Sequence, residues 1–233
     1  MKFYIDTANI NEIRKAKALG ILDGVTTNPS LISRIKLQTG HKFIPIVREI
    51  CKELGGFLEK GETGNTYNKL PVSVEVLKTD ATGMVEEGLV LSQIAPNVVV
   101  KLPCTEDGLI ACAALSNAGI KVNMTLCFSP MQALLVAKAG AAYVSPFIGR
   151  IDDTGENGLQ LVANIKMIYH QYGIKTEILA ASIRNMYHLT ECARIGADIA
   201  TIPFSVISKL MENPLTTKGL QIFLDDAKNA TTG

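Results

Sequence analysis

Residues 97–103 read Asn97-Val98-Val99-Val100-Lys101-Leu102-Pro103, a run of valines and a leucine enclosing one lysine. Such a run is apolar on both faces, as strands are in a parallel sheet covered by helices. Lys101 is costly there, because an ammonium taken out of water needs a partner or must give up its proton. Two readings follow. In one, the side chain snorkels out where Pro103 ends the strand. In the other, the amine is held in a dry interior, where a deprotonated lysine can attack a carbonyl and form a Schiff base. The strand alone does not choose between them. Polar residues at equivalent places in other strands do.

Outward from this stretch, short apolar runs alternate with longer amphipathic ones. Strands are expected over 2–7, 24–27, 72–77, 98–102, 122–126, 143–145, 177–181 and 199–202. Helix-period segments lie over 10–19, 43–54, 83–94, 106–118, 130–139, 158–172, 186–195 and 206–211. Gly20, Gly119, Gly140, Gly173 and Gly196 follow five of the helices, where a left-handed residue commonly ends a helix. Eight βα units with short links predict an α/β fold: one closed (β/α)8 TIM barrel spanning residues 1–233 as a single domain. An open doubly wound sheet is the alternative, but its first turn is usually glycine-rich. Here that turn reads Asp6-Thr7-Ala8-Asn9. Two pieces exceed the repeat. Residues 55–70 are polar and glycine-bearing and read as an extended loop. Residues 215–230 form a further helix, which either caps the barrel or packs on a neighbouring subunit.

Charge is nearly balanced, with 23 basic and 22 acidic residues, so no global field favours nucleic acid or a membrane. A pair of arginines still suffices for a small phosphate. Five cysteines without a CxxC pair argue against a disulfide framework and a zinc site, and for a reducing compartment. The three histidines are far apart and lack metal-ligand spacing, so no metal and no cofactor is expected. Asp6 interrupts the first apolar run, and no stretch approaches ~18 apolar residues. A cytoplasmic protein is expected.

In a barrel of this kind the active site lies at the C-terminal ends of the strands. Those ends carry Asp6, then Thr26 and Asn28, Glu75, Lys101, Asn123 with Thr125, Ser145 with Phe147 and the following Arg150, and Ser182 with Arg184. Side chains alternate along a strand, so Asn123 and Thr125 share one face while Val122, Met124 and Leu126 take the other. The apolar set faces the helices, which turns the polar pair inward. Each residue has a plainer role open to it. Asp6 could cap the helix starting near Ile10, and Ser182 the one starting near Asn185. Asn28 before Pro29 is ordinary turn chemistry. Arg150 and Arg184 could be surface charges, and Arg150 comes from the sixth unit, whereas barrel phosphate sites often follow strands seven and eight. The joint pattern over seven of eight strands points to catalysis. A lysine, two carboxylates, neutral hydrogen-bonders and a candidate phosphate clamp fit Schiff-base carbon–carbon chemistry on a sugar phosphate.

Five segments closely resemble the transaldolase family: Tyr4-Ile5-Asp6-Thr7, residues 24–30 (Gly-Val-Thr-Thr-Asn-Pro-Ser), residues 99–103, residues 145–153 (Ser-Pro-Phe-Ile-Gly-Arg-Ile-Asp-Asp) and residues 180–185 (Ala-Ala-Ser-Ile-Arg-Asn). They run in the family's order over nearly the whole chain, whose length resembles the short microbial members. The resemblance implies a class I aldolase-type barrel of the pentose phosphate pathway. Such an enzyme moves a dihydroxyacetone unit from sedoheptulose 7-phosphate to glyceraldehyde 3-phosphate, giving erythrose 4-phosphate and fructose 6-phosphate. By the same resemblance, Lys101 matches the Schiff-base lysine and Asp6 the acid/base at bond cleavage. Glu75 and Thr125 match the pair holding a catalytic water. Asn28, Asn123 and Ser145 match residues binding the dihydroxyacetone part, with Thr26 and Phe147 beside them, and Arg150, Ser182 and Arg184 match the phosphate site. The resemblance also implies a homodecamer of two pentameric rings, with the C-terminal helix reaching a neighbour.

The nearest rival is fructose 6-phosphate aldolase, which releases free dihydroxyacetone. That group typically has glutamine at the Glu75 position and tyrosine at the Phe147 position, so both residues here match transaldolase. A barrel that binds sugar phosphates without turnover would lack the lysine or the carboxylates. Enediol isomerisation is disfavoured because no histidine ends a strand.

Overall fold

Eight parallel strands pair in chain order and close on themselves in the computed structural model, which describes residues 1–57 and 69–231. They are β1 (Lys2–Asp6), β2 (Gly24–Thr26), β3 (Val72–Glu75), β4 (Val98–Pro103), β5 (Val122–Cys127), β6 (Tyr143–Pro146), β7 (Glu177–Ala180) and β8 (Ile199–Ile202). Helices α1 (Ile10–Ala18), α2 (Pro29–Thr39), α3 (Phe43–Glu53), α4 (Ala81–Ser92), α5 (Glu106–Asn117), α6 (Pro130–Lys138), α7 (Ile148–Asp152), α8 (Gly158–Gln171), α9 (Met186–Ile195) and α10 (Phe204–Ile207) connect or follow the strands, and α11 (Pro214–Thr231) comes last. This is the expected (β/α)8 barrel.

Strand alternation builds two separate interiors. Ile5, Val25, Val74, Val100, Met124, Val144, Ile178 and Ala200 point outward into one continuous core shared with the helices. Inside the barrel, Tyr4, Val99, Tyr143, Leu179 and Ile199 form a small apolar floor near the N-terminal half of the strands. The rings of Tyr4 and Tyr143 meet edge-on at 6.5 Å. Gly24 is required beside them: a Cβ there would come within 2.6 Å of the Tyr4 ring. The floor divides the barrel interior, and Asp6, Glu75, Lys101, Thr125, Ser145 and Thr201 lie toward the strands' C-terminal ends.

The structure corrects the sequence reading at several places. Helix α2 was not expected. Its start is well specified, since Asn28 Oδ1 accepts from the Leu31 N–H and Pro29 opens the first turn. Only Ile32 of the helix is fully buried, however, so it carries almost no apolar stripe. Helix α7 spans five residues, too few for a period to appear. Helix α10 sits at 204–207 instead of 206–211. Strand β5 continues to Cys127, but its alternation breaks: the register with β6 shifts between Met124 and Cys127, and Leu126 takes φ 58°. Leu126 therefore does not join Val122 and Met124 in the outer core. All five glycines expected to end helices do have positive φ, from 62° to 87°. The stretch 55–70 read as an extended loop falls largely on residues 58–68, outside the described residues. On α11, Leu215, Leu220, Ile222, Phe223 and Leu224 are all exposed, so the helix does not cap the barrel with its apolar side chains.

Candidate active site

Lys101 points into the barrel. Its residue is 5% exposed, and its Nζ lies 2.9 Å from Glu75 Oε2 and donates to the Thr27 carbonyl at 3.2 Å. The reading in which it snorkels outward is thereby set aside. The pairing follows from strand register, since Glu75, Lys101 and Asn123 sit directly opposite one another on β3, β4 and β5. A buried ammonium is tolerable when a carboxylate and a carbonyl replace its water.

Hydrogen bonds link the polar residues around the barrel. On one side Thr26 Oγ1 donates to Asp6 Oδ1 at 2.8 Å and lies 2.6 Å from Thr201 Oγ1, joining β2, β1 and β8. On the other, Ser145 Oγ donates to Asn123 Oδ1 at 2.7 Å, and Asn123 Nδ2 donates to Ser73 Oγ at 3.1 Å, joining β6, β5 and β3. Thr125 breaks the pattern. Its Oγ1 is buried and has no hydrogen-bond partner within the protein, although the residue lines the cavity described below. Asp6 touches solvent at the cavity but is otherwise surrounded by protein. Loss of hydration raises its carboxyl above the ordinary 3.8, against the opposing pull of Lys101 and the Thr26 hydrogen bond, while Glu75 adds to the rise. Asp6 does not cap α1, because Asn9 does so through its accepting Oδ1.

The rim is built by α7 and the turn after β7. Ile148 N–H donates to the Ala181 carbonyl and Gly149 N–H to the Ser182 carbonyl, so the turn is laid against the start of α7. Ser182 has φ 57°, a conformation an L-residue adopts at a cost. It does not cap α9 either, since Asn185 does. The Arg150 guanidinium lies 4.9 Å over the Phe147 ring, which in turn meets Phe128 edge-on at 5.9 Å. Arg184 is paired through both its terminal nitrogens with Asp153. That ion pair holds the Asp153 carboxyl below its ordinary value and raises the Arg184 guanidinium.

One polar cavity of about 170 Å³ gathers most of the expected site residues: Lys101, Asp6, Thr125, Thr26, Asn28, Ser145, Phe147, Arg150 and Ser182. Glu75 reaches it through its ion pair with Lys101. Asn123 is fully buried behind Ser145. Asn28 uses its oxygen to cap α2, leaving Nδ2 as the end available to a ligand. Arg184 does not line the cavity, while Arg150, from the sixth unit, does. Three residues that sequence reasoning did not single out complete the arrangement: Thr201, Ser73 and the Thr27 carbonyl. Thr201 is the inward residue nearest the C-terminal end of β8, the one strand taken to end without a polar group. A larger cavity of about 610 Å³, lined by Lys2, Tyr4, Lys69 and Lys121, lies beyond the apolar floor at the strands' N-terminal ends. In such barrels that end serves stability more than chemistry. Among the described residues no three His, Cys, Asp or Glu side chains are grouped to hold a metal, and no helix is long and apolar enough to cross a membrane.

The profile of the transaldolase/fructose-6-phosphate aldolase family matches residues 3–232. A probable transaldolase of Desulfatibacillum aliphaticivorans is 51% identical over 226 residues, 97% of each chain. One from Brucella anthropi is also 51% identical over 226 residues, 97% of this chain and 96% of its own. A probable transaldolase of Geobacter sulfurreducens is 50% identical over the same length, again 97% of each chain. With its lysine paired inside a closed barrel and a profile match along nearly its entire length, this chain belongs to the transaldolase/fructose-6-phosphate aldolase family.

Proposed function

We propose that the protein is a transaldolase of the pentose phosphate pathway. It transfers a dihydroxyacetone unit from sedoheptulose 7-phosphate to glyceraldehyde 3-phosphate, giving erythrose 4-phosphate and fructose 6-phosphate. The observation that carries this reading is the Lys101 amine inside the barrel, 2.9 Å from a carboxylate that can accept its proton. Once neutral, the amine adds to the donor's ketone. The carbinolamine loses water to leave an iminium, and the buried Thr125 hydroxyl with Glu75 holds the water and moves its protons. Asp6 takes the hydroxyl proton as the neighbouring carbon–carbon bond breaks, and the electron pair passes into the iminium to give an enamine. Burial favours the protonated carboxyl that Asp6 becomes in that step. The enamine adds to the acceptor aldehyde, Asp6 returns the proton, and hydrolysis frees Lys101. Asn28 and Ser145, backed by Asn123, bind the dihydroxyacetone part, with Thr26 orienting Asp6. Arg150 and Ser182, which line the cavity, bind the phosphate, and Arg184 joins them by exchanging its Asp153 partner for it.

Fructose 6-phosphate aldolase is the second reading. It is disfavoured by Phe147, whose apolar ring sits between Phe128 and Arg150 and offers the enamine no proton. Phe147→Tyr is expected to raise release of free dihydroxyacetone, and unchanged release would remove this argument. We further propose a cytoplasmic homodecamer of single-domain barrels, in which the exposed apolar side chains of α11 pack on a neighbouring subunit. Borohydride trapping with fructose 6-phosphate, followed by peptide mapping, tests the central reading. A dihydroxyacetone-sized adduct is expected on Lys101, with sedoheptulose 7-phosphate formed only when erythrose 4-phosphate is added. No adduct on Lys101 would overturn the proposal.

A further inference from the structure

We propose that His188, together with Asp152, is a positioning residue that sets the phosphate-binding rim. Neither side chain lines the cavity. The proposal rests on the reading of Arg150, Ser182 and Arg184 as the phosphate site.

His188 lies in the first turn of α9 and is 8% exposed. Its own N–H donates to Asn185 Oδ1 at 2.9 Å, which fixes the start of the helix. The ring does something else. Nδ1 accepts from the Arg184 N–H at 3.4 Å, so that nitrogen carries no proton and the ring's proton sits on Nε2. Nε2 in turn lies 3.1 Å from Asp152 Oδ2. That contact is within range but not aligned as a hydrogen bond, and Oδ2 is buried with no other donor. Asp152 is itself anchored, with Oδ1 accepting from the Gly158 N–H at 3.0 Å where α8 begins.

One imidazole thus bridges the two halves of the rim. Asp152 ends α7, which carries Arg150. The Arg184 backbone belongs to the turn that carries Ser182, whose φ of 57° persists only where its surroundings over-determine it. The other fastenings run from Ile148 and Gly149 to the Ala181 and Ser182 carbonyls, and from the exposed Arg184 guanidinium to Asp153 at the end of α7. Gly149 lets α7 approach this closely, since a Cβ there would stand 2.5 Å from Arg184 Nε. His188 secures the Arg184 backbone. Without the ring, the Arg184 backbone N–H loses its buried partner and the turn is held to α7 beyond Ser182 only through the exposed Arg184–Asp153 pair, so the hydroxyl of Ser182 and the guanidinium of Arg150 lose their fixed separation.

The test compares a phosphorylated with an unphosphorylated donor. In His188→Leu, KM for fructose 6-phosphate is expected to rise about tenfold, the effect of losing one hydrogen bond's positioning. The ratio of kcat/KM for fructose 6-phosphate to that for fructose falls by the same factor. His188→Asn keeps an acceptor for the Arg184 N–H and is expected to recover most of the loss. A merely structural role would lower both donors together and leave their ratio unchanged, and that result would overturn the proposal. If His188→Leu does not fold, Asp152→Asn reads out the same ratio. Calorimetry with inorganic phosphate separates this proposal from the assignment of the reaction. Wild-type protein binds phosphate and His188→Leu binds it more weakly, whichever carbon–carbon reaction the enzyme performs. Equal affinities, or no phosphate binding by the wild type, would overturn the positioning role.

Discussion

Replacing Thr125 by valine is expected to leave the protein about as stable and to make it less active. The Thr125 side chain is 1% exposed, and its Oγ1 has no partner within the protein, although the residue lines the cavity. Valine has the same branched shape with a methyl in place of the hydroxyl, so no hydrogen bond within the protein is lost. Losing the net worth of one hydrogen bond, about 1 kcal/mol, would shift Tm by about 2–4 °C in a chain of this size, and a smaller shift is expected. Activity changes instead. If the hydroxyl helps carry protons during imine formation and hydrolysis, kcat falls by about 100-fold, the lower range for positioned proton transfer. Thermal unfolding by circular dichroism measures the first effect. Steady-state transfer from fructose 6-phosphate to erythrose 4-phosphate measures the second. A fall in Tm of more than about 4 °C would mean that the hydroxyl holds a partner on which the fold depends. A kcat within twofold of wild type would remove Thr125 from the chemistry. Either result refutes its half of the reasoning.

Asp6→Asn is expected to stabilise the protein near neutral pH. Because the folded protein raises the Asp6 carboxyl above its ordinary 3.8, the native state holds that proton over a window where the unfolded chain has lost it. Asp6 therefore lowers stability as pH rises through this window. The advantage of the asparagine variant grows from about pH 4 upward and vanishes below, and a pH-independent difference in unfolding free energy would contradict the account. Ser182→Gly relieves a left-handed residue worth about 1–2 kcal/mol and is expected to raise Tm while increasing KM for fructose 6-phosphate, because the hydroxyl is lost. An unchanged KM would separate Ser182 from phosphate binding. Gly24→Ala forces a methyl against the Tyr4 ring and is expected to destabilise by about 1–3 kcal/mol, as overpacked cores do, with no change in KM. A neutral effect on denaturant unfolding would show that the apolar floor gives way easily.

The barrel was legible because alternation along single strands is unambiguous where polar and apolar residues differ strongly. Val122-Asn123-Met124-Thr125 assigns both faces of β5 by itself, and the structure agrees at each of the four positions. Leu126 escaped the rule because a bulge depends on the neighbouring strand's register, which no local pattern reports. Thr201 was overlooked because threonine between apolar residues reads as ordinary strand composition. Helix α2 was invisible to periodicity because it buries so little, although Asn28 and Pro29 announce its first turn. The two arginines exchanged prominence for a different reason. Asp153 turns Arg184 aside, and a contact between residues 31 positions apart is fixed by the closing of two βα units. His188 and Asp152 meet through the same closure. Scattered along the sequence, the histidines gave no sign of it.

The sequence of charges along the barrel axis decides which way round a substrate can enter. The interior above the apolar floor holds one ammonium, Lys101, and two carboxylates, Asp6 and Glu75. The fixed cation at the cavity wall, Arg150, sits at the outer edge. A phosphate driven inward approaches carboxylates in a setting that screens poorly, whereas one left at the edge meets a guanidinium. On the proposed reading the barrel would work as a vestibule with polarity, admitting a sugar phosphate ketone first with its anionic tail trailing. On that reading the two donors, fructose 6-phosphate and sedoheptulose 7-phosphate, differ in length only toward that tail, so the same charge order would accommodate both.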